Sequence, residues 1–408
     1  MNAKVKLLGM AGMVSLMLAS CSKEESRSGY TSDDAITFNT RISRATETTL
    51  EKLKDIRVYA DAMDYPMFID GLKASKAEGS NYFEFATPQY WPSGINKVRF
   101  WAYGPYDIKV TPNITADGQS FGAYTPKSGT DNPGKDHEDL IVAYTEAQRD
   151  VSTGSNVTLN FHHAMSQVVV NAKSGSTDGS REVTVAGTWI VNAKPTGTLS
   201  FDSQATVNNH MKWDLSGDKT FYGLELNNAT KLTSTNTTLI GGSDNSSLML
   251  IPQQLDKWDL VNDKPNAENG AYILVLCRVE LKHKGETHPN ADSDTSADDG
   301  PIHSEGGYHY HQIFPVSDKF DRTAYGYTCV PINTEWLPNK KYIYNLEFCG
   351  SKSGAGVYPP TLPDGLPDAV DKPKDKETGD NVLEQPIKFT VTVGDWTNAV
   401  QNENIGMQ

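Results

Sequence analysis

The chain has 408 residues, with 37 Lys and Arg against 51 Asp and Glu, and a formal charge of −14. A chain this long builds two or more cores rather than one. One this acidic has no general attraction for nucleic acid or anionic lipid surfaces, and Cys21, Cys277, Cys329 and Cys349 are too few for a disulfide framework to organise the fold.

The first element is a short apolar run, Leu7 to Leu18, entered through Lys4 and Lys6 and closed by Leu18-Ala19-Ser20-Cys21. It is shorter than the about 20 residues that a membrane-spanning helix needs. A basic start, a short apolar stretch and small residues ahead of a cysteine define a secretory signal of the lipoprotein type over residues 1–21, with the Cys21 sulfur as acyl acceptor. Losing Lys4 and Lys6 with the signal takes the charge from −14 to −16. A lipid chain contributes about 0.8 kcal/mol per buried methylene, so stable anchoring takes more than one chain. Residues 22–34 are polar and poor in apolar groups, which predicts a flexible tether. Within them, Lys23-Glu24-Glu25 resembles the tag that sends some Gram-negative lipoproteins to the outer face of the outer membrane. An ordinary solvated linker is the alternative.

From Ala35 onward the pattern is β, with period-two alternation and no long helical periodicity. Ile36, Phe38 and Ile42 share one face of the first strand. In Val157 to His163, the residues Val157, Leu159, Phe161 and His163 share another. Val168 to Val170, Val183 to Ile190, Ala271 to Leu281, Tyr342 to Phe348 and Ile387 to Val393 follow similar rules, and Asn269-Gly270 signals a tight turn. Many short strands separated by Gly, Pro, Asn and Ser turns predict β-sandwiches. The polar run Lys173 to Ser180 predicts a linker between an N-terminal sandwich, 35–175, and a C-terminal sandwich, 180–408. Two polar insertions in the second unit, 282–307 and 351–385, are expected to be long surface loops. Cys277 alternates with Ile273, Val275, Val279 and Leu281, which predicts a buried, inert thiol.

Few residues point to chemistry. His303, His309 and His311 lie near Asp292, Asp294, Asp298, Asp299 and Glu305, and two imidazoles with a carboxylate are a zinc set. The alternative is a polar loop with incidental histidines, and no metal or cofactor is expected. His163, on an apolar face, predicts a hydrogen-bonded core histidine. Trp91, Trp101 and Tyr103 offer either a sugar-stacking platform or, as the stronger expectation, part of a core. No nucleophile elbow, phosphate-cradling loop, metalloprotease helix or paired-carboxylate signature is present, so no catalytic residue and no enzyme is expected.

Several segments in order resemble the fimbrillin-like family, the subunits of lipoprotein-derived (type V) pili. They are Leu53 to Ala60, Tyr90-Trp91-Pro92 with Val98 to Pro105, Phe161 to Val170, Leu248 to Gln253, Trp336 to Leu346 and Val391 to Trp396. The resemblance implies an all-β fold of two transthyretin-like β-sandwich domains in tandem. It also implies delivery to the cell outer membrane as a lipid-anchored, surface-exposed precursor. An arginine-specific protease then removes the first strand, and a strand from another subunit fills the groove by β-strand addition. Ser43-Arg44-Ala45-Thr46 resembles the family's cleavage region, so Arg44, with Arg41 as the other candidate, would release the strand of Ile36, Phe38 and Ile42. Ile387, Phe389, Val391 and Val393 share a face of a terminal strand that is either a donor or an ordinary last strand. The partners implied are other pilus subunits or copies of this chain, with a host or bacterial surface ligand. A glycan-binding lipoprotein that does not polymerise is the alternative.

Overall fold

The computed structural model describes residues 35–42, 53–62, 65–76, 80, 82–115, 118–130, 133–149, 156–201, 211–241, 247–259, 269–284, 295–296 and 300–396; of Arg41 and Ile42 it describes the backbone. The described residues form strands and turns, with one 3-10 turn at Pro133–Asp136 and no α-helix. The protein is all-β, and its strands fall into two groups joined by a shared core.

The first group is a closed ring. It contains β1 (Thr37–Ile42), β2 (Asp55–Ala62), β3 (Tyr65–Lys76), β4 (Tyr82–Phe85) and β5 (Lys97–Gly104). After β6 (Thr111–Thr115) and β7 (Gly118–Tyr124), which leave for another sheet, it is completed by β8 (Ile141–Gln148) and β9 (Asn156–His163). The order is β1-β4-β3-β2-β5-β8-β9, closing through β1. Ile36, Phe38, Phe83, Phe100, Val157, Leu159 and Phe161 meet inside it. Ring strands alternate where one face is wet, as in β9. Part of β2 and β5 is buried on both faces, with Phe100 and Ala102 turned inward and Tyr59, Trp101 and Tyr103 outward under further structure. Asp61 and Arg99 face each other across β2 and β5 and form an ion pair that neutralises the buried carboxylate.

The second group is two packed sheets. One holds β10 (Ser166–Ser174), β15 (Thr237–Ile240), β16 (Leu248–Leu250), β22 (Lys340–Phe348) and β23 (Lys388–Asp395). Its order is β15-β10-β22-β23, with β16 also on β10. The other holds β11 (Arg181–Ala193), β14 (Thr220–Lys231), β17 (Tyr272–His283), β18 (Thr295–Ser296), β19 (Gly300–Glu305), β20 (Tyr308–Phe314) and β21 (Gly326–Pro331). Between the sheets lie Val168, Val170, Val185, Ile273, Val275, Tyr344, Leu346 and Val391. Gly270 opens β17 where a Cβ would overlap the Trp258 backbone, so only glycine fits the turn.

A small sheet, β12 (Thr196–Phe201) and β13 (Lys212–Ser216) with β6 and β7, closes over the seam between the groups. Phe121, Leu199 and Phe201 from this sheet pack with Tyr59, Trp101, Tyr103, Met249, Ile251 and Trp396.

Two expectations about organisation meet a different arrangement. The chain crosses between groups at Ala164 and Met165, ahead of the polar run at 173–180, because β10 pairs along its whole length with β22. The run at 173–180 is the turn from β10 to β11. Within 282–307, the end of β17 and all of β19 are sheet, and β19 forms a hairpin with β20. Residues 351–385 hold no strand, yet they are not merely a surface loop. Val357, Leu362, Leu366 and Ala369 cover the outer face of β17, packing on Trp189, Leu274, Leu276 and Tyr327. That cover explains the unbroken apolar run Tyr272 to Cys277, which reads as a strand buried on both faces.

Candidate functional site

The site is the pair of terminal strands. β1 runs parallel to β9, from Thr37 opposite Asn156 to Ile42 opposite Phe161, and antiparallel to β4, with Phe38 opposite Phe83. Its alternation sends Ile36 and Phe38 inward, where Phe38 is fully buried (0% exposed). The Phe38 ring meets Phe85 and Phe100 edge-on, at 5.5 and 5.7 Å. Burial of such side chains contributes about 1.5–3 kcal/mol each, so Ile36 and Phe38 together hold β1 with roughly 3–6 kcal/mol. The Ile36 N–H also donates to Gln89 O at 2.8 Å. The β1 backbone ends at Ile42 with Arg41 beside it; Arg44 and Cys21 lie outside the described residues.

β23 is an edge strand. It pairs antiparallel with β22, from Lys388 opposite Glu347 to Asp395 opposite Lys340, and its other edge carries no described strand. Ile387 and Val391 are buried and Phe389 and Val393 half-buried, all against the core between the two sheets. Lys340 Nζ reaches Asp395 Oδ1 at 2.5 Å. Trp396, just past the strand, is 2% exposed and belongs to the seam.

That seam contains two histidines, His163 fully buried and His137 half-buried. His163 Nδ1 bonds Asp139 Oδ2 at 2.7 Å, as a core histidine should, and its ring stacks on Trp396 at 4.3 Å. His137 Nε2–H donates to Lys127 O at 2.7 Å, and its Nδ1 accepts the Met249 N–H at 2.9 Å. Both ring nitrogens are thereby committed to the neutral form, and burial pushes the His137 pKa down. Trp213 Nε1–H donates to Ala164 O at 2.9 Å across the same seam. The sequence gives no hint of this convergence, because partners such as His163 and Trp396 lie far apart along the chain.

The remaining candidates separate. Trp91, Trp101 and Tyr103 are all buried, so they build cores and offer no stacking platform. His309 and His311 sit on β20. His311 Nε2 meets His283 Nε2 at 2.8 Å, His309 Nδ1 meets Ser304 Oγ at 2.9 Å, and His303 stacks on Phe320. Asp292, Asp294, Asp298 and Asp299 lie outside the described residues. Among the described residues, no group of three or more His, Cys, Asp or Glu is arranged to hold a metal ion. Cys277, Cys329 and Cys349 are free and buried. Burial raises all three thiol pKa values, that of Cys349 to about 11. A cavity of about 550 Å³ lies between the 359–373 segment and Phe314, Val316, Tyr327 and Tyr358, with Asp364, Asp368 and Asp371 in its lining.

A fimbrillin-like family model matches residues 43–358. Among solved structures, a fimbrial protein from Bacteroides vulgatus aligns over 88% of this chain and 99% of its own, at 15% identity and a TM-score of 0.53. Candidate cell adhesion proteins from Bacteroides uniformis and Bacteroides ovatus align over 89% and 90% of this chain and 98% and 99% of their own. Their identities are 14% and 13%, and their TM-scores 0.42 and 0.43. No protein with a curated description matches the sequence. With most of its length matched by the family model, the chain belongs to the fimbrillin-like family.

Proposed function

We propose that this chain is a pilus or adhesion subunit, delivered to the cell surface as a lipoprotein, that assembles by proteolysis-triggered exchange of β1. Family membership supports the coarse role, which is structural rather than catalytic. The observation that carries the mechanism is the place of β1: it closes the ring between β4 and β9, and the chain leaves it through Arg41, Ile42, Ser43 and Arg44. Cleavage after Arg44 would release the whole strand. Phe83, Phe85, Phe100, Val157, Leu159 and Phe161, which share a core with Phe38, would then line an open groove. An incoming strand would restore main-chain hydrogen bonds on both sides and refill the apolar pockets. β23 has the alternation a donor needs, in Ile387, Phe389, Val391 and Val393. Cys21 would carry the lipid that holds the precursor to the outer membrane, and the partners are further subunits or copies of this chain.

The test is treatment of the purified precursor with an arginine-specific protease, followed by an unheated denaturing gel. A ladder of resistant oligomers is expected, and it should vanish in the Arg41→Ala/Arg44→Ala double variant. A trimmed monomer that binds polysaccharide would overturn the assembly reading in favour of a glycan-binding lipoprotein. Cys21→Ala should abolish labelling by radioactive fatty acid; persistent label would overturn the anchor.

A further inference from the structure

We propose that the seat of Trp396 is a release latch for β23, set to loosen when β1 leaves. The roles of β1 and β23 rest on the strand-exchange reading above; the latch itself is a property of the uncleaved monomer.

The argument starts from how little else holds the end of β23. Among the described residues the strand has one strand neighbour, and Phe389 and Val393 are only half-buried. Past its last residue, the chain plugs Trp396 into the seam. There the indole stacks at 16° on His163 and the Trp396 backbone N–H donates to Asn339 O at 3.1 Å. The last strand of the second group is thus fastened to the last residue of β9 in the ring.

The fastening carries a penalty. Among the described residues, the buried Trp396 indole N–H has no hydrogen-bond partner, and neither has Asp139 Oδ1 on the carboxylate that bonds His163. A buried donor or acceptor left unpaired loses the hydrogen bond it makes to water in the exposed state. Stacking and apolar burial hold Trp396 in; the unpaired polar atoms work against them. A phenylalanine in the same place would keep the ring contact and shed the penalty. Tryptophan therefore makes a seat that holds the strand but holds it less tightly than its burial implies.

The link to β1 runs through β9. β1 pairs with β9 from Asn156 to Phe161, whereas β8 pairs with β9 only at His162 and His163. Removal of β1 leaves β9 tied to the ring chiefly by the two residues at the end that carries the Trp396 seat. Opening the acceptor groove and loosening the donor strand then become one event, and an uncut precursor keeps both closed.

Amide hydrogen exchange on the full chain tests this. In Trp396→Ala, exchange across Lys388–Asp395 should be about tenfold faster than in the parent, with β17 unchanged as the control. In Trp396→Phe it should be slower than in the parent. Equal exchange in all three chains overturns the latch, as does faster exchange in Trp396→Phe. Should the alanine variant fail to fold, the phenylalanine variant alone decides. After the protease has removed β1, exchange across 388–395 should rise in the parent chain; an unchanged rate overturns the link to β1. An absent oligomer ladder with the expected exchange pattern in the uncut variants would sink the strand-exchange reading and leave the latch standing.

Discussion

β1 and β23 are built from the same kind of sequence and are held in opposite ways. Each alternates apolar and polar residues over six to eight positions. β1 lies between two strands, with Phe38 at the centre of an aromatic cluster, and completes a ring that would have two open edges, β4 and β9, without it. Among the described residues β23 has one partner, a partly buried apolar face and no strand on its other edge. The difference lies in the neighbours rather than in the strands. An interior strand takes main-chain bonds from both sides and cannot be withdrawn without opening a cavity. An edge strand loses one ladder only, and its hold depends on what anchors its ends.

The sharpest way to break the contrast is to truncate equivalent aromatics. Phe38→Ala should cost about 3–5 kcal/mol, because its ring has no room to collapse into. Phe389→Ala, at a half-buried edge position, should cost less than half of that. Denaturant unfolding of the two variants measures both; equal costs would mean that β23 is as firmly built in as β1. A second effect separates the seam from the strands. The His137 pKa is lowered in the fold, so the unfolded chain binds the extra proton first as pH falls. The stabilisation is complete above the unfolded value of about 6.5 and is lost as pH drops toward the folded value, at no more than about 1.4 kcal/mol per pH unit. Unfolding free energies between pH 7.5 and 5.5 should show this slope, and His137→Gln should flatten it. The smallest effect concerns the 351–385 cover. Arg181 grips Glu384 through two N–H···O bonds, at 3.0 and 2.5 Å, and holds its carboxyl below the usual range. This contribution is present above the unfolded carboxylate pKa and lost as pH falls through the lower folded one. Glu384 is largely exposed, so Arg181→Ala should cost only about 0.2–1 kcal/mol, and less in high salt. A loss of several kcal/mol in the same unfolding assay would mark the cover as integral to the sheet beneath it.

Local alternation carried much of the fold. The strands at Val183 and Ala271 were legible as apolar runs buried largely on both faces, and Ile36 and Phe38, the inward face of β9 and the strand at Tyr342 because each buries one side chain in two. His163 was legible as a core histidine for the same reason. The crossing between groups was not, because Ala164 and Met165 are as apolar as the strands β9 and β10 on either side, and only the pairing of β10 with β22 assigns it to the second group. The cover at 351–385 was hidden by composition: its prolines and aspartates read as solvent-facing, while the few apolar residues among them, Val357, Leu362 and Leu366, do the packing. The Trp396 seat was illegible for a different reason. Its neighbours, His163, Asp139 and Asn339, come from three separate stretches, and no spacing rule connects them.

The polarity of the β1 place has a consequence of its own. β1 is parallel to β9 and antiparallel to β4, so the slot is directional. A strand entering it backwards would exchange the two ladders, meeting β9 antiparallel and β4 parallel. A substitute that keeps both ladders as they stand points the same way as the strand it replaces. If each subunit both offers a strand and receives one, every junction repeats the same orientation. The polymer then acquires an arrow: one end always presents an empty slot and the other a spare strand, and growth at the two ends is chemically distinct.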